Sequence, residues 1–321
     1  MRDGPHSPTS RGHGKYEHLV KLARENPAIK VAVVHPCDDV SLQSAIEARR
    51  LHLIEPILVG PEARIRRVAA EHALDIGGME ILDTPHSHAS AAKGVELAAA
   101  GHVEAIMKGS LHTDEVMGAV VSRQPGIRTA RRISHCFIMD VPNHPQPLII
   151  TDAAVNIAPT LDEKVDIVQN AIDLAHALGA GEVRVAVLSA METVSAKVPS
   201  TIEAAALCKM ADRGQIIGAL VDGPLALDNS ISPEAAAIKN INSPVAGRAN
   251  VLVVPDLEAG NMLAKSLSFL AGADAAGIVL GAKVPIILTS RADSLLTRLA
   301  SCAVAVLVAA ARRKSPSAAI R

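Results

Sequence analysis

Short runs of aliphatic residues alternate along the first third of this chain with segments whose apolar residues recur at helical spacing. The runs predict buried strands, and the helical spacing predicts amphipathic helices. Predicted strands cover residues 29–34, 54–59, 80–82 and 105–107, and predicted helices cover residues 39–51, 61–72, 87–100 and 114–122. Strict alternation of this kind favours a mostly parallel sheet with right-handed crossovers.

A different pattern covers residues 133–151. Two strand-like runs flank the proline-rich residues 141–147, which predicts a hairpin and therefore one antiparallel pair in the sheet. The alternation then resumes. In this second half, helices are predicted at residues 161–178, 199–213, 232–238, 260–272 and 294–312, and strands at 183–188, 217–221, 251–254, 276–280 and 286–289.

The length of 321 residues fits one large domain or two of medium size. Because a second strand–helix series starts near residue 151, we predict two α/β domains with mostly parallel sheets. The first comprises residues 15–150 and 291–314, and the second comprises residues 151–290. Residues 1–14 are rich in Gly, Pro, Ser and His, and we predict a disordered tail there.

Composition excludes several classes of function. Hydrophobic residues make up 49% of the chain but aromatic residues only 1%, so the core is aliphatic, as in sheets covered by helices on both faces. Few aromatic rings argue against a stacking platform for single-stranded nucleic acid. A formal net charge of -1 gives no electrostatic attraction to nucleic acid or to an anionic membrane. We therefore expect small-molecule substrates, and neither nucleic acid nor a membrane as partner.

The cysteines indicate a reducing compartment. Cys37, Cys136, Cys208 and Cys302 lie far apart and form no C-x-x-C, which is typical of buried, reduced thiols. The N-terminus has no apolar signal core, and the apolar run at residues 299–311 predicts a buried final helix rather than a membrane span. We expect a cytoplasmic protein.

Polar loops with Gly, Asn or Asp flank or follow four predicted strands. They comprise residues 108–113, 152–156, 247–261 and 289–294. A rigid sheet holds such loops at the carboxyl edge of parallel strands, where α/β enzymes bind ligands. Each loop also has a purely structural explanation, such as a helix cap at Thr113 or an Asx turn at Asp152. Their occurrence together favours a binding site.

Several residues in these loops suit an inorganic anion. Backbone N–H groups at a helix start, with the hydroxyl groups of Ser110 and Thr113, form an anion site. The guanidinium of Arg291 offers a planar fork suited to phosphate oxygens, although an ion pair with Asp293 is an equal alternative. Arg132 belongs to a basic cluster, for which a solvated face is the alternative.

Common nucleotide and metal motifs are absent from the sequence. It contains no G-x-x-x-x-G-K-[ST] and no G-x-G-x-x-G after a strand, which disfavours Walker-type hydrolysis and ordinary dinucleotide binding. The 13 histidines form no H-E-x-x-H, so we predict no metal site.

Four motifs together resemble the phosphate acetyltransferase and phosphate butyryltransferase family over residues 28–312. They are Gly-Ser-x-His-Thr at 109–113, Asp-x-Ala-x-Asn at 152–156, Gly-x-Ala-Asn-x-Leu-x-x-Pro-Asp-Leu-x-x-Gly-Asn at 247–261, and Ser290-Arg291. The third motif is long enough to be specific. The pattern at 289–294 looks more like the butyryl branch, and the chain is also similar to the transferase half of fusions with enoyl-CoA hydratase.

The resemblance implies the reaction acyl-CoA + phosphate ⇌ acyl phosphate + CoA. It also implies an isocitrate-dehydrogenase-like fold of two α/β domains with the active site in the cleft between them. Acyl-CoA and phosphate are then substrates, no cofactor is tightly bound, and the protein is a homodimer or a higher homo-oligomer.

The resemblance further implies which residues form the site. Arg291 would bind phosphate or the developing oxyanion, and Ser290 would hydrogen-bond the thiolate or the carbonyl. The candidate catalytic residues are Ser290, Arg291 and Asp293. The candidate substrate-binding residues are Lys108, Gly109, Ser110, His112, Thr113, Arg132, Ser134, Asp152, Asn156, Gly260 and Asn261.

One position departs from the acetyl branch of the family. That branch carries an acidic residue, proposed as the base for the CoA thiol, seven residues after the serine, where this chain has Thr297. No cysteine or serine lies beside a recognisable base, which favours direct attack by phosphate in a ternary complex.

Two alternatives remain open from the sequence. The first is an NAD-dependent dehydrogenase of a phosphorylated hydroxy substrate on the same fold. The second is a non-catalytic CoA-binding module.

Overall fold

The computed structural model describes residues 14–122, 126–142, 144–289 and 293–314. The strands are β1 (Ile29–Val34), β2 (Ile54–Gly60), β3 (Glu80–Asp83), β4 (Ala105–Lys108), β5 (Ser134–Asp140), β6 (Leu148–Thr151), β7 (Arg184–Leu188), β8 (Leu220–Leu225), β9 (Val251–Val253), β10 (Asp274–Leu280) and β11 (Ile286–Ile287). The helices are α1 (Gly14–Arg24), α2 (Asp39–Arg50), α3 (Glu62–Glu71), α4 (Ser87–Ala99), α5 (Thr113–Val121), α6 (Leu161–Ala177), α7 (Pro199–Asp212), α8 (Leu227–Ile231), α9 (Pro233–Ile238), α10 (Leu257–Phe269) and α11 (Leu295–Lys314). The predicted α/β class is confirmed.

The described strands form one sheet in the order β3-β2-β1-β4-β11-β10-β5-β6-β9-β7-β8. The block from β3 to β11 is parallel, and so is the block from β6 to β8. Between the blocks, β11, β10, β5 and β6 are antiparallel to one another in turn, and β5 with β6 is the predicted hairpin. The two parallel blocks therefore run in opposite directions.

Strand register brings the ends of the two blocks to the same level of the sheet. Extending the β11 pairings by one residue gives a row across the sheet of Lys108, Leu288, Gly277, Phe137 and Ile150. In this row β4 ends, and β6 ends one residue beyond it at Thr151. The loops that follow β4 and β6 thus leave one row of the sheet in opposite directions.

Some predicted boundaries were wrong, for local reasons. Helix α10 begins at Leu257 rather than at residue 260, because the carboxylate of Asp256 accepts the Ala259 N–H (2.8 Å) and caps it. Strand β8 begins at Leu220 rather than at residue 217, because Gly218 has a positive φ of 88°. Helices α1 and α8 were not predicted.

The sheet continues without a break across residue 151. Strands β10 and β11, which the sequence assigns to the second domain, pair with β5 and β4 of the first. The division at residue 151 stays a prediction. The predicted tail falls outside the described residues, apart from Gly14, which begins α1.

Helices cover both faces of the sheet. One face packs against α2, α6 and α11. The other carries two smaller clusters: the α5 cluster, around Leu111, Val116, Ile133 and Val279, and the α10 cluster, around Met139, Ile150, Leu252 and Ala264. The faces are distinct because side chains alternate along each strand.

Helix α11 is long and apolar enough to cross a membrane by length and composition alone. However, 72% of its most apolar window is buried inside the protein. It packs against β10, α1 and α2, so it is a core helix, as the sequence predicts.

Candidate active site

The loop that follows β4 is fixed against the end of β1. The Gly109 N–H donates to Val34 O (2.9 Å), and a Cβ on Gly109 would lie only 2.5 Å from that oxygen, so no larger residue fits. The Ser110 hydroxyl donates to His35 O (2.9 Å) and accepts the Cys37 N–H (3.2 Å). These contacts hold the β1 and β4 loops together.

Helix α5 begins beside this loop and exposes two predicted binding residues. The side chains of His112 and Thr113 are exposed at its N-terminus. The Glu115 carboxylate accepts the His112 N–H (2.8 Å) and the Ser87 hydroxyl. These two hydrogen bonds lower the pKa of Glu115, and the bond from Ser87 has the larger effect. Exposed N–H groups and hydroxyls at a helix start suit an anion.

Two cationic side chains hold Thr289, which directly precedes Ser290 and Arg291. Buried Lys108 donates from Nζ to Thr289 O (3.3 Å). Arg298, 3% exposed on the first turn of α11, donates to Thr289 Oγ1 and to Asp293 O (3.4 Å each). Both residues that flank the predicted catalytic segment are thereby tethered, whereas Ser290 and Arg291 lie outside the described residues.

The turn after β6 is organised around the carboxylate of Asp152, which is 3% exposed. Asp152 Oδ1 accepts the N–H groups of Ala154 and Val155 (3.0 Å each). Asp152 Oδ2 accepts the Asn156 N–H (3.2 Å) and Asn156 Nδ2 (2.5 Å). The Asx turn that the sequence offered as a structural explanation is present, and Asp152 faces its own turn.

Arg132 extends from this turn toward solvent. Its Nε donates to Asn156 Oδ1 (2.7 Å), and its Nη1 pairs with Glu163 (2.9 Å), while about half of its side chain (48%) stays exposed. Ser134 is fully buried, and its hydroxyl accepts Asn170 Nδ2 (2.9 Å). Arg132 is therefore oriented and accessible, whereas Ser134 is internal.

Gly260 and Asn261 lie on α10, against the same turn. A Cβ on Gly260 would lie 2.9 Å from Asp152 O, so glycine allows the helix to approach closely. Asn261 Nδ2 donates to Ala153 O (3.3 Å). These two residues of the long third motif support the 152–156 turn.

The predicted residues therefore form two hydrogen-bonded groups. One joins the β1, β4 and β11 loops through Lys108 and Ser110, and the other joins the 152–156 turn to Arg132 and α10. The loops of these groups leave one row of the sheet in opposite directions, where the sequence suggested a single carboxyl edge. Both groups nevertheless insert apolar side chains into or against the α5 cluster, namely Leu111, Leu288, Ile133 and Val155. They therefore share one face of the sheet.

The described residues of the predicted site line neither of two cavities elsewhere in the described structure. The larger, about 410 Å³, lies between α1, α6 and α11. Among the described residues, no group of three or more His, Cys, Asp or Glu side chains is arranged to hold a metal ion.

Arg298 is the residue that sequence reasoning missed, since a single arginine in an apolar helix carries no motif. Replacing it with methionine, which keeps the aliphatic stem, is expected to lower kcat by about 10- to 100-fold, because misplaced catalytic groups reduce rate steeply. Steady-state kinetics measures the change in kcat, and a thermal melt measures any change in stability.

Arg312 provides the matched control. It lies on the same helix and donates to Ala282 O (3.1 Å) and Lys283 O (2.7 Å), away from Thr289. Arg312→Met should destabilise the protein without the loss of kcat. Equal kcat losses in the two variants would contradict a specific role for Arg298.

Comparisons with known proteins agree with the four sequence motifs that resemble the phosphate acetyltransferase and phosphate butyryltransferase family. A family model described as "Phosphate acetyl/butaryl transferase" matches residues 86–306. A phosphate acetyltransferase of Rhizobium meliloti is 66% identical over 307 residues, covering 95% of this chain and 97% of that relative. A phosphate butyryltransferase of Clostridium beijerinckii is 39% identical, covering 92% and 98%. The crystal structure of a branched-chain phosphotransacylase from Enterococcus faecalis V583 has a TM-score of 0.77 at 29% identity, covering 88% of this chain and 99% of that chain.

Proposed function

The chain belongs to the phosphate acetyltransferase and butyryltransferase family, and we propose that its two hydrogen-bonded groups bind phosphate and the acyl-CoA thioester for direct transfer. The enzyme catalyses the reversible reaction acyl-CoA + phosphate ⇌ acyl phosphate + CoA. The observation that carries the proposed site is the tethering of Thr289 by Lys108 and of both Thr289 and Asp293 by Arg298. A segment held at both ends is suited to presenting Ser290 and Arg291 in one geometry.

In the proposed mechanism a phosphate oxygen attacks the thioester carbonyl carbon. A tetrahedral oxyanion forms, the carbon–sulfur bond then breaks, and CoA leaves as a thiolate that takes up a proton. Arg291 stabilises the oxyanion and Ser290 hydrogen-bonds the departing sulfur. Exposed His112, Thr113 and Arg132 are proposed to bind phosphate oxygens or the CoA moiety.

Burial of the cysteines supports direct attack rather than an acyl-cysteine. Desolvation raises the pKa of Cys37 to about 11, and those of Cys136, Cys208 and Cys302 to about 12. A thiol protonated at neutral pH is a poor nucleophile. Trapping an acyl-cysteine or acyl-serine intermediate would rule out this mechanism.

Asp293 is proposed as the group that assists thiol deprotonation in the reverse direction. Thr297 occupies the position where the acetyl branch carries an acidic residue. Its neutral hydroxyl is too weak a base for this role, and it accepts a hydrogen bond from the Ser294 hydroxyl (3.1 Å). A thiol with a pKa near 8.5 needs only modest help, so one half-buried carboxylate nearby is sufficient.

We propose acetyl-CoA as the preferred substrate. Identity over the whole chain is higher to the relative named phosphate acetyltransferase, 66%, than to the relative named phosphate butyryltransferase, 39%. The pattern at residues 289–294 favours butyryl-CoA instead and makes it the second candidate.

A cytoplasmic homodimer without a tightly bound cofactor completes the proposal. Helix α10 carries an exposed apolar stripe: Met262 is 63% exposed and Phe269 84%, with Leu270 after them at 86%. Large exposed apolar patches mark protein interfaces, which supports association of two copies.

The activity is tested with acetyl-, propionyl- and butyryl-CoA, each with and without inorganic phosphate, by titration of the free thiol. We expect thiol release that depends on phosphate and is fastest with acetyl-CoA. Binding of CoA without phosphate-dependent release would indicate the non-catalytic module instead. Family membership disfavours the dehydrogenase alternative, and an absorbance change at the nicotinamide band would reveal it.

A further inference from the structure

His135 occupies the middle of the sheet, between the two apolar clusters on the face that carries the candidate site. Ile133, directly before β5, lies in the α5 cluster, and Met139, farther along β5, lies in the α10 cluster. Its side chain is 1% exposed, and the mechanism above does not use it. An ionisable ring therefore lies between the α5 cluster and the α10 cluster.

Keeping an imidazole there costs stability in two ways. Its Nδ1 is buried and has no hydrogen-bond partner in the described part of the chain, which is unfavourable for a polar atom. Val279 is the residue paired with His135 on β10, and Gly277 is its diagonal neighbour, two residues away on the same strand; glycine weakens a strand interior. A Cβ at Gly277 would lie 3.1 Å from His135 Nε2, so glycine makes room for the ring. An aliphatic side chain would fill this space without either cost.

The ring adjoins the ends of both parallel blocks. Thr151, the last residue of β6, donates from Oγ1 to the backbone oxygen of His135 (2.9 Å). The next residue along the chain is Asp152, whose charge acts on the imidazole. The same hypothetical Cβ on Gly277 that would crowd Nε2 also lies 3.1 Å from Leu288 O, one residue before Thr289. The ring thus lies within reach of the charge of Asp152 and close to the end of β11.

The ring's orientation is fixed by its aromatic neighbour. Phe137, on the same strand, packs edge-on against it with ring centroids 4.4 Å apart. Because this contact and its burial restrict the ring, the imidazole acts as a spacer of constant size rather than as a mobile side chain.

We propose that His135 is a positioning residue for acyl transfer, whose ring sets the separation between the 152–156 turn, which orients Arg132, and the end of β11, which Lys108 and Arg298 hold. This inference rests on the proposed function. Its physical basis is that reaction rate depends steeply on the relative placement of groups that hold two substrates.

The first experiment compares His135→Phe, whose larger six-membered ring changes the spacing, with His135→Gln, which places an amide near the position of Nε2, and His135→Asn, which places one near Nδ1. We expect His135→Phe to lower kcat at least tenfold, with a KM for acyl-CoA within twofold of the parent. One of the two amides should restore part of kcat. Met139→Leu, on the same face of the strand, is the control and should retain kcat.

Crowding from the opposite strand tests the same spacing independently. Gly277→Ala is expected to lower kcat about tenfold, because its Cβ displaces the ring. In a His135→Ala background, Gly277→Ala should cause a smaller further loss, since the ring it displaces is gone and only the contact with Leu288 O remains. Additive losses in the double variant would overturn the inference.

A third measurement follows the ring itself rather than activity. Burial lowers the pKa of His135 to about 4, and the charge of Asp152 opposes this shift. The unfolded chain, with an ordinary histidine near 6.5, takes up the proton first as pH falls. Stability is therefore lost between about pH 6.5 and pH 4, and His135→Gln should flatten that part of the melting-temperature profile.

These outcomes separate the two proposals. An unmodified enzyme without phosphate-dependent thiol release would overturn the proposed function. An active enzyme whose folded His135→Phe or His135→Gln variant keeps full kcat would overturn the positioning role alone. If His135→Phe does not fold, the two amide variants and the Gly277 cycle decide the question.

Discussion

Replacing Arg291 with alanine is expected to lower kcat/KM for phosphate-dependent thiol release by about 100- to 1,000-fold, the cost of removing one oxyanion-stabilising donor. The resemblance to the family assigns this guanidinium to phosphate or to the developing oxyanion, where charge increases on the way to the transition state. The fold should survive, since the neighbouring Thr289 and Asp293 are held by Lys108 and Arg298. Initial rates at saturating and limiting phosphate measure the loss of activity, and a thermal melt measures whether the fold survives.

Two variants control this result. Arg291→Lys keeps the charge but loses the planar fork, so it should recover only part of the activity. Arg67→Ala removes an arginine of the surface helix α3, whose side chain is 66% exposed, and should leave activity unchanged. Near-normal activity of Arg291→Ala would remove this residue from the reacting centre.

The second large effect is expected at Asp152. Asp152→Ala should lower the free energy of unfolding by about 3 to 5 kcal/mol, because it leaves several N–H groups, partly or fully buried, without an acceptor. The carboxylate accepts hydrogen bonds from Ala154, Val155 and Asn156. Loss of the turn should also release Arg132 from Asn156 and lower activity. Urea unfolding at constant pH measures the change.

Asp256 provides a comparison for Asp152. Its carboxylate accepts the Ala259 N–H and caps α10, so Asp256→Ala should cost only about 1 kcal/mol. Asp152→Asn keeps one acceptor oxygen and should fall between the two. A loss for Asp152→Ala no larger than that for Asp256→Ala would show that the turn is held by other contacts.

The secondary structure was largely predictable because it depends on local pattern. Short runs rich in valine, such as residues 29–34 and 183–188, favour buried strands. The errors occurred where one side chain or one glycine decides a boundary, as at Asp256 and Gly218. Helix α1 was not predicted, and in the structure it packs on α11.

The candidate site was predictable as a set of motifs but not as a geometry. Gly109 had to be glycine because a Cβ would meet Val34 O, and no pattern in the sequence shows that contact. Arg298 carries no motif, and its role depends on contacts with Thr289 and Asp293. His135 likewise follows from what lies across the sheet at Gly277.

The sequence by itself determined the aliphatic α/β architecture, the hairpin at residues 133–151 and the motifs that identify the family, because each depends on residues close together along the chain. Only the tertiary structure decided that the two parallel blocks run in opposite directions and end at one row of the sheet. Strand direction depends on which distant strands pair, and β10 and β11 return from the end of the chain to lie between β4 and β5. That pairing gains its free energy from burying apolar faces contributed by remote segments, which no local pattern records.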